Sequence, residues 1–247
     1  MALAEKPFTY APPIPDNLRA RYEDGLSRTM RWENGLFPPN KPESDLEHVR
    51  GMLEILDEMK NRFIHIPNEV NFTTVSHMIY IHDAGEILAG DLSHSHPNYD
   101  ALKPKMKRRE IAAFRLMSRD IDDESIKILA RELYKRIHDK SQVDKEAQLA
   151  DFIDKAQAVR FGLKNVFPAA AIRNRNTREI QLNHAITVLL KPADSFIQSL
   201  TSPYSKEEAQ RFIKEVLESF TNQGYKSSEI GPHLSRASLM SANGDHP

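Results

Sequence analysis

The chain of 247 residues contains no cysteine. That absence removes disulfides, thiolate metal ligands and a cysteine nucleophile together, so any metal held here is held by nitrogen and oxygen. An excess of charge of either sign is missing as well: 34 Lys and Arg stand against 35 Asp and Glu, a formal net charge of -1. Such a balance offers no global attraction to a nucleic acid polymer or to anionic lipid. No apolar run approaches the length needed to span a bilayer, and Met1-Ala-Leu-Ala-Glu-Lys-Pro7 lacks the long apolar stretch of a secretory leader. The expectation is a cytoplasmic protein acting on a small molecule, with no membrane partner.

Convincing period-two alternation is also absent, and so are internal repeats, which argues against a sheet protein or a solenoid. With 40% apolar residues, the chain has enough material for a sizeable core in one large domain or two small ones. What it does have is helical spacing. Pro12, Pro13 and Pro15 precede a predicted helix near Asn17 to Thr29, and Pro38, Pro39 and Pro42 force a loop before the next. Leu46, Val49, Met52, Leu53, Ile55 and Leu56 then recur at helical intervals, placing His48 on a helix beside its inward stripe. A further helix is predicted from Asn71 or Thr73 through Leu88, closed by Gly90, a residue suited to the left-handed conformation at helix ends. Others follow over Ile111 to Met117, Ile126 to Ile137, Leu149 to Ala156 and Ile180 to Leu190, with a break expected at Pro192. Phe212, Ile213, Val216, Leu217 and Phe220 share one helical face, which suits a homodimer or burial in the chain's own core.

Within the apolar segment Met78-Ile-Tyr-Ile-His-Asp-Ala-Gly-Glu-Ile-Leu-Ala-Gly-Asp91, His82 and Asp83 place an imidazole next to a carboxylate. Burying such a pair without a partner is costly, and a metal ion satisfies both. His48 lies upstream, Asp154 downstream, and Glu86 and Asp91 follow the pair. Two imidazoles and two carboxylates suit one divalent ion of the manganese, iron, cobalt or zinc class better than calcium, which prefers oxygen alone. Glu86, four residues after His82, projects from the same side of a helix and is placed to act on water or to pass a proton. Asp91 follows past the helix end, a further carboxylate able to carry a proton.

The ordered set of His48, His82-Asp83 and Asp154 resembles the metal-binding signature of the HD-domain phosphohydrolase superfamily. Arg31-Trp32, Pro42-Glu43-Ser44, Gly90-Asp91 and Lys107-Arg-Arg-Glu-Ile-Ala-Ala113 are similar to its 5′-deoxynucleotidase branch, over roughly residues 28 to 159. The resemblance implies an all-α HD-domain bundle with additional C-terminal helices. It implies His48, His82, Asp83 and Asp154 as metal ligands, Glu86 and Asp91 as catalytic groups, and Arg31 and Trp32 as the wall that discriminates against a ribose 2′-hydroxyl. The expected activity is hydrolysis of deoxyribonucleoside 5′-monophosphates. Asp154 is chosen over Asp151 because it is flanked like the last aspartate of the family and keeps its interval from Glu146. The expected division is an N-terminal arm and helix over 1–27, the catalytic core over 28–165, a helical extension over 166–230 and a disordered polar tail over 231–247.

Other features are given blander roles. His94 and His96 belong to a polar loop, and Lys103, Lys105, Lys107, Arg108 and Arg109 to the solvated start of a helix. Two rival functions keep the same residues: a di-iron HD-type oxygenase, with His94, His96 and Asp91 as added ligands, and a nucleotide-binding HD domain without turnover.

Overall fold

The computed structural model describes residues 14–31, 41–92, 96–139, 143–165, 175–222, 225 and 230–231. Trp32, His94 and the polar tail beyond 231 lie outside the described residues, together with the expectations placed on them. The fold is all-α. Helix α1 (Asp16–Arg28) leads into a two-residue strand, β1 (Met30–Arg31), which pairs antiparallel with β2 (Glu43–Ser44) in the register Arg31↔Glu43. The sequence predicts no strand here, because two residues are too few to show a period.

Helix α2 (Asp45–Arg62) follows β2 at once. Its start is fixed by a reciprocal cap: Ser44 Oγ accepts from the Glu47 amide at 3.2 Å, and the Glu47 carboxylate accepts from the Ser44 amide at 3.0 Å. The strand pair and the cap together set Arg31 opposite Glu43, just ahead of the helix that carries His48. After α3 (Ile66–Glu69) comes α4 (Phe72–Ile81), capped by Asn71, whose side chain accepts from the Thr74 amide.

The single helix predicted through Leu88 is broken at its functional end. Residues 82–85 form a turn and α5 (Glu86–Ala89) resumes after it. The carbonyl of Ile79, which a continuing helix would offer to the Asp83 amide, accepts from His82 Nδ1 at 2.6 Å, and the backbone tightens into Ala84→Ile81 and Glu86→Asp83 bonds. Gly90 then closes α5 with φ of +81°, as its position suggests.

The remainder consists of α6 (Tyr99–Met117), a 3₁₀ turn at Ser118–Asp120, α7 (Glu124–His138), α8 (Lys145–Asn165), α9 (Arg175–Ser199) and α10 (Pro203–Asn222). Helix α8 is central. It packs against α2, α4, α7 and α9, and buries Leu149, Ala150, Phe152, Ile153, Ala156, Val159 and Leu163. Helix α9 runs through Pro192 instead of breaking there. Leu189, Leu190, Ala193, Phe196 and Ile197 are all buried around the proline, and that packing outweighs the one backbone hydrogen bond the ring forfeits. The Phe212 to Phe220 face of α10 is likewise spent in the chain's own core.

Candidate metal centre

Three elements bring the site together. His48 comes from the second turn of α2, His82 and Asp83 from the turn that ends α4, and Asp154 from the middle of the buried helix α8. His48 is fully buried, and His82 and Asp83 nearly so.

Both imidazoles are fixed by their Nδ1 atoms. His48 Nδ1 contacts Gln157 Oε1, and Gln157 is itself oriented because its amide nitrogen donates to Glu43 Oε1 at 2.7 Å. With the amide so placed, its oxygen is an acceptor and the proton on the His48 ring sits at Nδ1. His82 Nδ1 donates to the Ile79 carbonyl. Both Nε2 atoms are therefore the ones turned toward the carboxylates, the side from which a ring held by Nδ1 binds a metal. They meet at Asp83: Oδ2 lies 2.9 Å from His82 Nε2 and 4.0 Å from His48 Nε2. His82 Nε2 is buried and makes no hydrogen bond of acceptable angle, even at that short distance from Asp83. One ligand atom each from His48, His82 and Asp83 lie within 4.8 Å of one another. A divalent cation fits this donor set, since it would satisfy an orphaned nitrogen and a carboxylate at once.

Asp154 faces the same place, with Oδ1 3.0 Å from His48 Nε2, while its other oxygen is paired with partly buried Lys155. Burial would raise its pKa, but Lys155 and His48 hold the carboxyl well below the ordinary range. Asp83 is also lowered against burial, by His82 and Arg31. Asp151 is partly buried on the same helix and acts electrostatically on Lys155.

Arg31 reaches into the cluster from β1. Its Nη1 donates to Asp83 Oδ2 at 2.7 Å and lies 3.6 Å from Asp45 Oδ1, its Nε is 3.9 Å from Glu43, and its Nη2 is 4.0 Å from Asp154. Glu86 Oε2 is buried with no hydrogen-bond partner, and burial together with Asp83 and Asp45 holds its pKa well above the usual carboxylate range. Asp91, half-buried beyond Gly90, contributes to the same field at Arg31, Asp45 and Glu86.

Gln157, Lys155 and Asp45 escape the sequence reading, and Glu43 enters it only within a resembling stretch, without a role. Gln157 stands three residues after Asp154, so helical spacing alone places it on the same side of α8 and offered a way to find it. Gly51 makes room for it: a Cβ there would meet Gln157 Nε2 at 2.9 Å. Glu43 and Lys155 act through neighbours, which no spacing reveals. Asp45 gives no sequence signal at all, because an aspartate opening a helix reads as a dipole partner. It is fully buried, and burial and Asp83, opposed by Arg31, push its carboxyl up to about 9.

Fold and site together define a helical protein with a buried nitrogen and oxygen group able to hold a metal. The HD-domain family model matches residues 24–166, and the chain belongs to that family. Comparison with curated proteins finds no match. Among solved structures, the chain is similar to a cyanophage S-2L HD phosphohydrolase, DatZ, bound to dA and one catalytic Zn2+ ion. The identity is 17%, over 79% of this chain and 96% of that one, with a TM-score of 0.47.

Proposed function

We propose that this HD domain is a metal-dependent phosphohydrolase, and that its substrates are deoxyribonucleoside 5′-monophosphates. The observation that carries the reading is the convergence of two buried imidazoles, each with Nδ1 tied to a carbonyl oxygen, on one carboxylate. His48, His82, Asp83 and Asp154 would hold a single divalent ion of the manganese, iron, cobalt or zinc class. When bound, such an ion supplies polarisation of a phosphoryl oxygen and lowers the pKa of a water.

The chain's own residues supply the rest. Arg31 presents a permanent planar cation beside the metal ligands, suited to a phosphoryl or sugar oxygen by paired hydrogen bonds. Burial and the neighbouring Asp83 and Asp45 favour the protonated form of Glu86, which suits a group that donates a proton. As water attacks phosphorus and the bond to the 5′ oxygen breaks, the Glu86 and Asp91 pair provides the proton that the departing oxygen needs. Nucleoside and inorganic phosphate are the products, and no redox step is involved. Trp32 enters on the family resemblance alone, as a rigid ring beside the sugar.

The test is phosphate release over matched deoxy- and ribonucleotides, with the metal removed by chelation and then restored. Activity is expected to vanish with the ion and return with manganese, cobalt or zinc. The kcat/KM for dAMP should exceed that for AMP, and Arg31→Ala or Trp32→Ala should narrow the gap more than it lowers metal content. Equal efficiencies in the wild type would end the deoxynucleotide assignment, and activity persisting in a chain shown to be metal-free would end the hydrolytic mechanism.

A further inference from the structure

Away from the metal centre, α6 and α7 enclose a groove of about 690 Å³, within the usual size of small-molecule sites. Its apolar lining is Ile111, Phe114 and Tyr134, buried or half-buried, and Ile128, which is 59% exposed. Arg115, Arg131 and Lys135 line it as well, three permanent cations against the carboxylates of Glu132 and Asp139. Arg131 is anchored through Nε on Ser118 Oγ at 2.9 Å, which leaves its two outer nitrogens for another acceptor. Tyr134 joins this groove to the turn at residues 82–85. Its ring stacks on Phe114 with centroids 3.8 Å apart, and its hydroxyl is buried without a hydrogen-bond partner. With no hydrogen bond to fix it, the hydroxyl is positioned by the packing of its ring. A Cβ at Gly85 would lie 2.6 Å from that hydroxyl, so the turn rests directly on it. Asp83 and Glu86 act electrostatically on the same group.

We propose that this groove is an effector site for a small organic anion with a flat apolar body, and that its occupancy is felt at the turn carrying His82 and Asp83. The aromatic and aliphatic lining matches the body, and the excess of cations matches an anionic head group, which guanidinium planes hold by paired hydrogen bonds. Coupling requires a ligand that distinguishes two settings of the turn. A ligand packed against Phe114 and Tyr134 does so, because the turn rests on that stack. None of the lining residues belongs to the metal centre, so the inference does not depend on which substrate is turned over there.

The experiment uses the full chain and two fluorescent probes: anilinonaphthalene sulfonate, and phenylnaphthylamine, which keeps the rings and lacks the charge. Titration is expected to show saturable binding of the sulfonate, about tenfold tighter than that of the neutral analogue, the scale of a charge-assisted hydrogen bond. Ile128→Glu and Lys135→Glu, both at exposed positions, should each weaken the sulfonate by about the same factor. Hydrogen exchange read by mass spectrometry should slow at least about twofold over residues 82–90 when the sulfonate is bound. Equal binding of the two probes overturns the anion site and needs no variant to fold. Sulfonate binding left unchanged in folded Ile128→Glu and Lys135→Glu chains puts the probe elsewhere and overturns it too. Unaltered exchange at the turn under saturating sulfonate overturns the effector role.

Discussion

Buried carboxylates occur in two settings in this molecule, and they are treated oppositely. Glu208 on α10 is nearly inaccessible, yet its oxygens accept from the amides of Ile64, His65 and Ile66 at 2.9 to 3.2 Å, closing the start of α3. Glu69 at the end of α3 is satisfied in the same way by Thr201, Ser202 and Lys145. Around His48, by contrast, Asp45 and Glu86 are dry and leave oxygens without any donor, and His82 keeps an orphaned nitrogen. A carboxylate that saturates backbone amides holds the C-terminal helices on the core. One left wanting is an energetic debt that only a ligand or a proton settles.

The sharpest break of this comparison is Asp83→Ala. It removes the carboxylate that both imidazoles and Arg31 share, so bound metal and phosphatase activity should disappear together, measured by elemental analysis and phosphate release. Activity surviving with metal lost would separate the two. Glu86→Gln should keep the metal and lose about a hundredfold to ten-thousandfold in kcat, the usual scale for a positioned acid or base. Parallel loss of metal would recast Glu86 as a support for the turn.

Gln157→Leu tests orientation alone. Without its amide, the His48 ring is free to turn, and metal affinity should fall by roughly tenfold to a hundredfold while Asp154 stays in place. Unaltered affinity would mean that packing by itself orients His48.

The smallest effects are on stability, and their signs should differ between the two settings. Glu208→Ala strands backbone amides, so it should lower stability by about 1–3 kcal/mol in thermal melts and leave metal content unchanged. Asp45→Asn should do the reverse in the metal-free chain. Folded Asp45 titrates at about 9 while the unfolded chain titrates in the ordinary carboxylate range, so between those values the folded state binds the extra proton. Its contribution to stability is therefore complete at acid pH and is lost as pH rises toward 9. Asparagine carries no such loss, and the gain in Tm should be larger at pH 8 than at pH 5. Equal shifts at the two pH values would show that Asp45 ionises normally inside the protein.

Much of the architecture was legible because it depends on local spacing. The apolar stripe of α2 placed His48 at its edge, and the same periodicity gave α7, α8 and α10. Local rules failed where long-range contacts overruled them. Pro192 reads as a break, and only the packing around α9 keeps the helix whole. His82 reads as mid-helix, and a side-chain bond to Ile79 ends the helix there. The strand pair was invisible since each of its halves is only two residues long.

Residue types and intervals alone carry the all-helical class, the nitrogen and oxygen character of any metal site, and the order of His48, His82, Asp83 and Asp154 along the chain. These need no partner to be read. Only the packed chain shows that both Nε2 atoms face the carboxylates, that Gln157 and Glu43 hold the His48 ring, and that Asp45 is buried beside Asp83. The settings of His48 and Asp45 depend on what burial and neighbours more than 30 residues away do to a charge or a lone pair, a relation that no spacing encodes, whereas the His82 ring is held by Ile79, three residues before it.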